Sequence, residues 1–196
     1  VLKVKQGSNP VPENVVKKAA GNYQNPEAGN INKLVKNEQG IYEVKVNSTP
    51  LEGHERLNTP DVNGNGKYNP AEAAAAARLE STLGKLERAP DTGGKTADFN
   101  ISGCSNAGKT VDFMYTTKNL SQKEVDGINR FFEKNMTVSR TAGEIPTGQK
   151  QILDHLGKAD IVTVDFSVLT SSNQKVFMDY IKTLPKNQQD KLIIMR

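Results

Sequence analysis

The 196-residue sequence predicts a mixed α/β fold, one sheet flanked by helices. Three observations carry that prediction. ADIVTVDF (159–166) is an almost unbroken apolar run, the composition of a central strand covered on both faces. TADFNIS (96–102) and KTVDFMYT (109–116) alternate polar and apolar residues around a Gly-containing turn, with the period of strands. From Asn69 onward the patterns run helix, strand, strand, helix, helix, strand, helix, strand, an order that builds a layered α/β domain. No internal repeat is visible.

The elements follow in chain order. Residues 1–58 read as a small N-terminal extension and 59–196 as the main domain. The extension is rich in Asn, Pro and Gly, with one short helix expected near Glu13–Ala20. IYEVKV (41–46) alternates as a half-buried strand does, and STPLEGHERLNTPDVNGNG is turn after turn. A helix is expected from Pro70 to Gly84, and strands over 95–102 and 109–116. The next helix, 121–135, opens with Ser121 and Glu124 as a capping box. A second short helix covers 148–158, ahead of the central strand at 159–166. Residues 173–184 place Val176, Phe177, Tyr180, Ile181 and Leu184 on one helical face and stop before Pro185; a closing strand spans 191–195.

Composition narrows the function classes. Lys and Arg exceed Asp and Glu by 26 to 22, and the isoelectric point is about 9.0. That balance favours a polyanionic partner such as nucleic acid or an acidic protein, although a solvated surface explains it equally well. Mean hydropathy is −0.60 with 35% apolar residues, polar for a globular chain. The single cysteine, Cys104, excludes an intrachain disulfide and argues against a Cys-rich zinc site. The two histidines, His54 and His155, have no metal-binding spacing, so a His-based metal site is not expected. There is no apolar run of membrane-spanning length and no signal-peptide pattern. The chain begins with Val and is expected to be part of something longer.

DVNGNGKYNPAEAAAAARLE (61–80) admits two readings. Asp61, Asn63, Asn65, Gly66 and Glu72 fall at the positions of an EF-hand-type calcium loop. Only Asp61 and Glu72 are carboxylates, and Lys67 adds a cation, so such a site would be weak. A helix start explains the same residues with less: Asn69 caps, Pro70 takes the first helical position, and Glu72 completes a capping box. On the helix itself, Ala73, Ala76, Ala77, Glu80, Leu83 and Gly84 share one stripe, which leaves Glu80 as a carboxylate among small and apolar neighbours.

The two strands carry a second pair of carboxylates. If their turn is centred near Ser105, Asp98 and Asp112 lie directly across from one another, roughly 5 Å apart at Cβ. Like charges so placed need a bound cation, a shared proton or a nearby lysine. Two carboxylates around a divalent metal are the equipment of phosphodiester hydrolysis.

Helix-borne Glu80, then GGKTADF with Asp98, then TVDF with Asp112, resemble the PD-(D/E)XK restriction-endonuclease-like superfamily. More narrowly, they look like the C-terminal toxin domains of contact-dependent growth inhibition CdiA proteins. The resemblance implies a restriction-endonuclease-like core and a metal-dependent nuclease, with tRNA as substrate. It implies that Glu80, Asp98 and Asp112 hold Mg²⁺ or Mn²⁺ while a lysine orients water or stabilises charge. Ala97 stands where the motif has proline and Met114 where it has lysine, so the lysine comes from elsewhere: Lys118 on the strand end or Lys150 in the helix before the 159–166 strand. The resemblance also implies a cognate immunity protein, an entry role for residues 1–58, display on the producing cell as part of a larger protein, and action in the target cytoplasm. The alternative is a non-enzymatic secreted or surface binding module with a weak EF-hand-like calcium loop.

Overall fold

The computed structural model describes residues 34–45, 54–62, 65–93, 96–103, 105–115 and 120–196. Lys118, Cys104, Asn63 of the loop and the helix expected near 13–20 lie outside the described residues. The rest forms one mixed sheet with helices on both faces.

Seven strands make the sheet: β1 (Val35–Lys36), β2 (Tyr42–Val44), β3 (Leu86–Arg88), β4 (Phe99–Ile101), β5 (Thr110–Met114), β6 (Ile161–Asp165) and β7 (Leu192–Met195). Their order across the sheet is β1-β2-β7-β6-β5-β4-β3. The middle of the sheet, β2-β7-β6-β5, is parallel, and antiparallel partners close each side. All five residues of β6 are buried, as its unbroken apolar run requires.

The helices are α1 (His54–Leu57), α2 (Pro70–Leu83), α3 (Gln122–Asn135), α4 (Thr147–Lys158), α5 (Ser171–Ile181) and α6 (Lys186–Gln189). Val162 and Val164 of β6 point to the face covered by α3, α4 and α5, where they join Phe132, Ile152, Leu156, Phe177 and Ile181. Ile161 points to the other face, packed with Leu79 and Leu83 of α2 and with Phe99 and Phe113.

Helix α2 begins as expected. The Asn69 side chain accepts a hydrogen bond from the Glu72 amide at 3.2 Å, and Pro70 occupies the first helical position. It ends at Gly84, with φ 108°, where a Cβ atom would stand 2.5 Å from the Gly103 carbonyl oxygen; no other residue fits. Between these ends every residue from Ala71 to Glu80 is buried, three charged ones among them. The alanines let the helix lie close on the sheet.

The sequence located these elements to within a few residues, and three differences have physical causes. The strand expected over 95–102 pairs only across Phe99–Ile101, because the Asp98 side chain takes the bond that a further ladder residue would have made. β1, β3 and α1 are two to four residues long, too short to show a period. β2, inside the stretch read as an extension, pairs in parallel with β7 through Tyr42–Ile193 and Val44–Met195. Val35–Lys36 and Tyr42–Val44 thus belong to the sheet.

Candidate active site

The register of β4 and β5 assembles the site. Phe99 opposes Val111 and Asn100 opposes Thr110. One step further along the same register, Asp98 comes opposite Asp112, as the turn centred near Ser105 predicts. There the ladder stops, and the Phe113 amide donates instead to Asp98 Oδ2 at 2.8 Å. The Asp98 and Asp112 carboxyls lie within hydrogen-bonding reach of each other.

Helix α4 supplies partners to this pair. Asp112 is completely buried. Its Oδ2 is bonded by His155 Nδ1, and Lys158 Nζ stands 3.0 Å from Oδ1. The lysine thus adds its positive charge to the histidine contact on the same carboxylate. His155 and Lys158 are three residues apart and therefore share a helix face. From the opposite side of the sheet, the first turn of α2 adds Glu72. Its Oε1 is ion-paired with Arg88 at the end of β3, and its Oε2 accepts from Asn69 Nδ2 at 3.1 Å. Arg88 lies over the Phe99 ring, 4.2 Å from its centroid, and its Nε and Nη2 are buried without hydrogen-bond partners.

Three carboxyls in one low-dielectric site cannot all ionise freely. Asp98 carries the consequence: burial, then Glu72, then Asp112 push its carboxyl up to about 9, so it holds a proton at neutral pH. Asp112 moves the other way. Burial alone would raise it, but His155 and Lys158 outweigh burial and hold it below the usual carboxylate range. Glu72 is raised by burial, against the pull of Arg88. Burial opposes the charge on Lys158, yet Asp112, Asp98 and Glu72 together raise its pKa. Two of the three remedies expected for the carboxylate pair, a shared proton and a lysine, are therefore present.

The structure redistributes the sequence-derived candidates. Asp98 and Asp112 come together. Glu80 does not join them: it sits eight residues along α2 from Glu72, about 12 Å down the helix axis. Its Oε1 is ion-paired with Arg56 of α1, and the α2 carboxyl whose charge reaches Asp98 and Asp112 is that of Glu72. Lys150 is exposed, near the start of α4, on a different face from His155 and Lys158; the lysine at the carboxylates is Lys158. The only mark of Lys158 in the sequence was its position two turns beyond Lys150, on the face of His155. Glu72 was visible but explained by its helix cap, a duty its backbone amide performs while its carboxyl group faces the cluster. The calcium-loop reading loses its last ligand for the same reason.

The donors suit a hard divalent cation, since all three are carboxyl groups. Among the described residues, no three His, Cys, Asp or Glu side chains are already spaced around one point as metal ligands. Asp98 and Asp112, within reach of each other, are the pair an ion would bind once the Asp98 proton is displaced. That matches Mg²⁺, which keeps several waters and takes one or two carboxylates.

Comparison with known proteins bears on the same residues. The family model described as the CdiA C-terminal tRNase domain matches residues 70–195, a span that contains Glu72, Asp98, Asp112, His155 and Lys158. A curated Burkholderia pseudomallei protein, the tRNA nuclease CdiA, is 37% identical over 154 residues, which is 78% of this chain and 11% of that protein. The chain therefore spans about a tenth of that relative's length. Among solved structures, a CdiA-CT toxin from Burkholderia pseudomallei, in complex with its cognate CdiI immunity protein, superposes with a TM-score of 0.55 at 36% identity. The superposition covers 65% of this chain and all of that one.

Proposed function

The chain belongs to the CdiA C-terminal tRNase domain family, and on that premise we propose that it is a metal-dependent tRNA nuclease toxin whose centre is Glu72, Asp98, Asp112 and Lys158. The observation that supports this most is the crowding of buried carboxyls: burial, then Glu72 and Asp112, keep Asp98 protonated. A divalent cation would displace that proton and be held by Asp98 and Asp112, with Glu72 behind them.

When bound, such an ion polarises the phosphoryl group and lowers the pKa of water. The protein residues do the rest. Lys158, pinned at 3.0 Å from Asp112, places a positive charge where negative charge develops on the phosphate. His155 fixes the Asp112 carboxylate through its Nδ1. Arg88 anchors Glu72 and, with two unused donors, keeps positive potential next to the cluster. On this reading the cluster would be a form of the restriction-endonuclease-like motif, with Lys158 of α4 serving in place of a strand lysine.

The substrate and partner follow from the relatives. A chain of net charge +4 suits both RNA and an acidic immunity protein. Delivery as the end of a larger surface protein, with action in the target cell, is part of the same reading. Among the described residues no helix is long and apolar enough to cross a membrane.

The test is direct. Total tRNA is incubated with the protein in Mg²⁺ or Mn²⁺ and then in EDTA. Cleavage that stops with EDTA and returns with added metal is the expected result; cleavage indifferent to EDTA refutes the metal mechanism while leaving the family assignment intact.

A further inference from the structure

A cavity of about 600 Å³, in the size range of small-molecule sites, opens beside the carboxylate cluster. Its walls include Tyr115, Ile128 and Phe131, with the amides of Asn69 and Gln151 at its edge. Three links make it continuous with the proposed centre. Asn69 donates to Glu72. Gln151 stands four residues before His155 on α4, on the same helix face. Tyr115 follows Asp112 by three residues, just past the end of β5.

Two features of its wall are costly to the fold. Tyr115 is the one non-glycine residue at positive φ (54°) among the described residues, and its hydroxyl is buried with no hydrogen-bond partner. Gly127 lines the cavity from the middle of α3, where glycine weakens a helix, and a Cβ there would meet nothing within 4 Å. The helix gives up stability and leaves room.

We propose that this cavity receives a nucleobase of the substrate RNA, unstacked from its neighbours beside the phosphate to be cut. The inference rests on the nuclease reading and adds where the base goes. Aromatic walls suit any base face, and amide edges suit its polar rim. An extruded base also positions its own backbone against Asp98 and Asp112.

The test uses the whole chain in EDTA, so it reads binding without cleavage. ¹H–¹⁵N spectra are recorded during titration with each of the four nucleoside monophosphates, and with ribose 5-phosphate as the base-free control. At least one nucleotide is expected to shift the amides of Gly127, Ile128 and Phe131, while ribose 5-phosphate leaves them in place. Gly127→Leu, which fills the cavity from a helix position open to a side chain, should weaken that nucleotide at least tenfold. Phe131→Ala, which removes a stacking wall, should weaken it too. The proposal is overturned if ribose 5-phosphate binds as well as the nucleotides, or if a folded Gly127→Leu binds as the unaltered chain does. It also falls if no nucleotide perturbs the cavity, the result expected of a groove for an apolar protein segment. A chain that binds nucleotides here yet cuts no RNA keeps the subsite and refutes the nuclease reading instead.

Discussion

Helix α2 buries two glutamates, Glu72 and Glu80, each ion-paired with an arginine from a neighbouring element. In isolation they look alike. Glu80 meets Arg56 between α1 and α2, and it is not among the groups that shift Asp98 or Asp112. Glu72 meets Arg88 but also feels Asp61 and Asp112, and helps to keep Asp98 protonated. The difference teaches that a buried carboxylate does not make a site by being buried. A site appears where carboxyls outnumber the cations able to reach them, because that imbalance is what a metal ion relieves.

The comparison breaks first at Asp112. Asp112→Asn removes the carboxylate held by both His155 and Lys158, so tRNA cleavage should fall to background while circular dichroism still shows the native fold. Stability should drop by about 1–3 kcal/mol, as for any buried group stripped of its partner. Cleavage retained in a folded Asp112→Asn chain would end the assignment.

Lysine substitutions sharpen it next. Lys158→Met should lower the cleavage rate by on the order of 10²–10³. Lys150→Met, at an exposed position, should change it by no more than about twofold, the scale of an ordinary surface substitution. Single-turnover rates on the two variants decide between them. A reversed pattern would return the catalytic role to the start of α4.

A smaller effect separates the crowded end from the paired end by pH. The folded chain keeps the Asp98 proton up to about pH 9, whereas an unfolded carboxyl loses it near 3.8. Between those values the folded state binds more protons, so this group makes stability fall as pH rises. Asp98→Asn removes that penalty and should gain about 0.5–2 kcal/mol at pH 8 without metal. The gain should vanish near pH 4. Urea unfolding at the two pH values measures it, and equal effects at both would show that Asp98 is not held protonated.

How far the sequence reached follows the same division. Features set by local pattern were legible: the cap at Asn69, the capping box at Ser121 and Glu124, the buried run of β6, and the register that pairs Asp98 with Asp112. Each depends on residues close in the chain or on a two-residue period. The third carboxyl and the lysine depend on how α2 and α4 lie against the sheet, which no local period encodes. Glu80 stands out because it interrupts an apolar stripe, yet its Oε1 is taken by Arg56, 24 residues away. Glu72 already had a local explanation, and that hid its second role. His155 was set aside because histidine spacing was searched for metal ligands, whereas it acts on a carboxylate 43 residues distant.

The most direct test of the central claim sets the two glutamates of α2 against each other. Glu72→Gln and Glu80→Gln are each assayed for tRNA cleavage in saturating Mn²⁺, per mole of folded protein. Glu72→Gln should be folded and inactive, and Glu80→Gln should lose about 1–3 kcal/mol of stability but cut at the rate of the unaltered chain. Full activity in Glu72→Gln, or a folded Glu80→Gln that cannot cut, would contradict the account and restore Glu80 to the site.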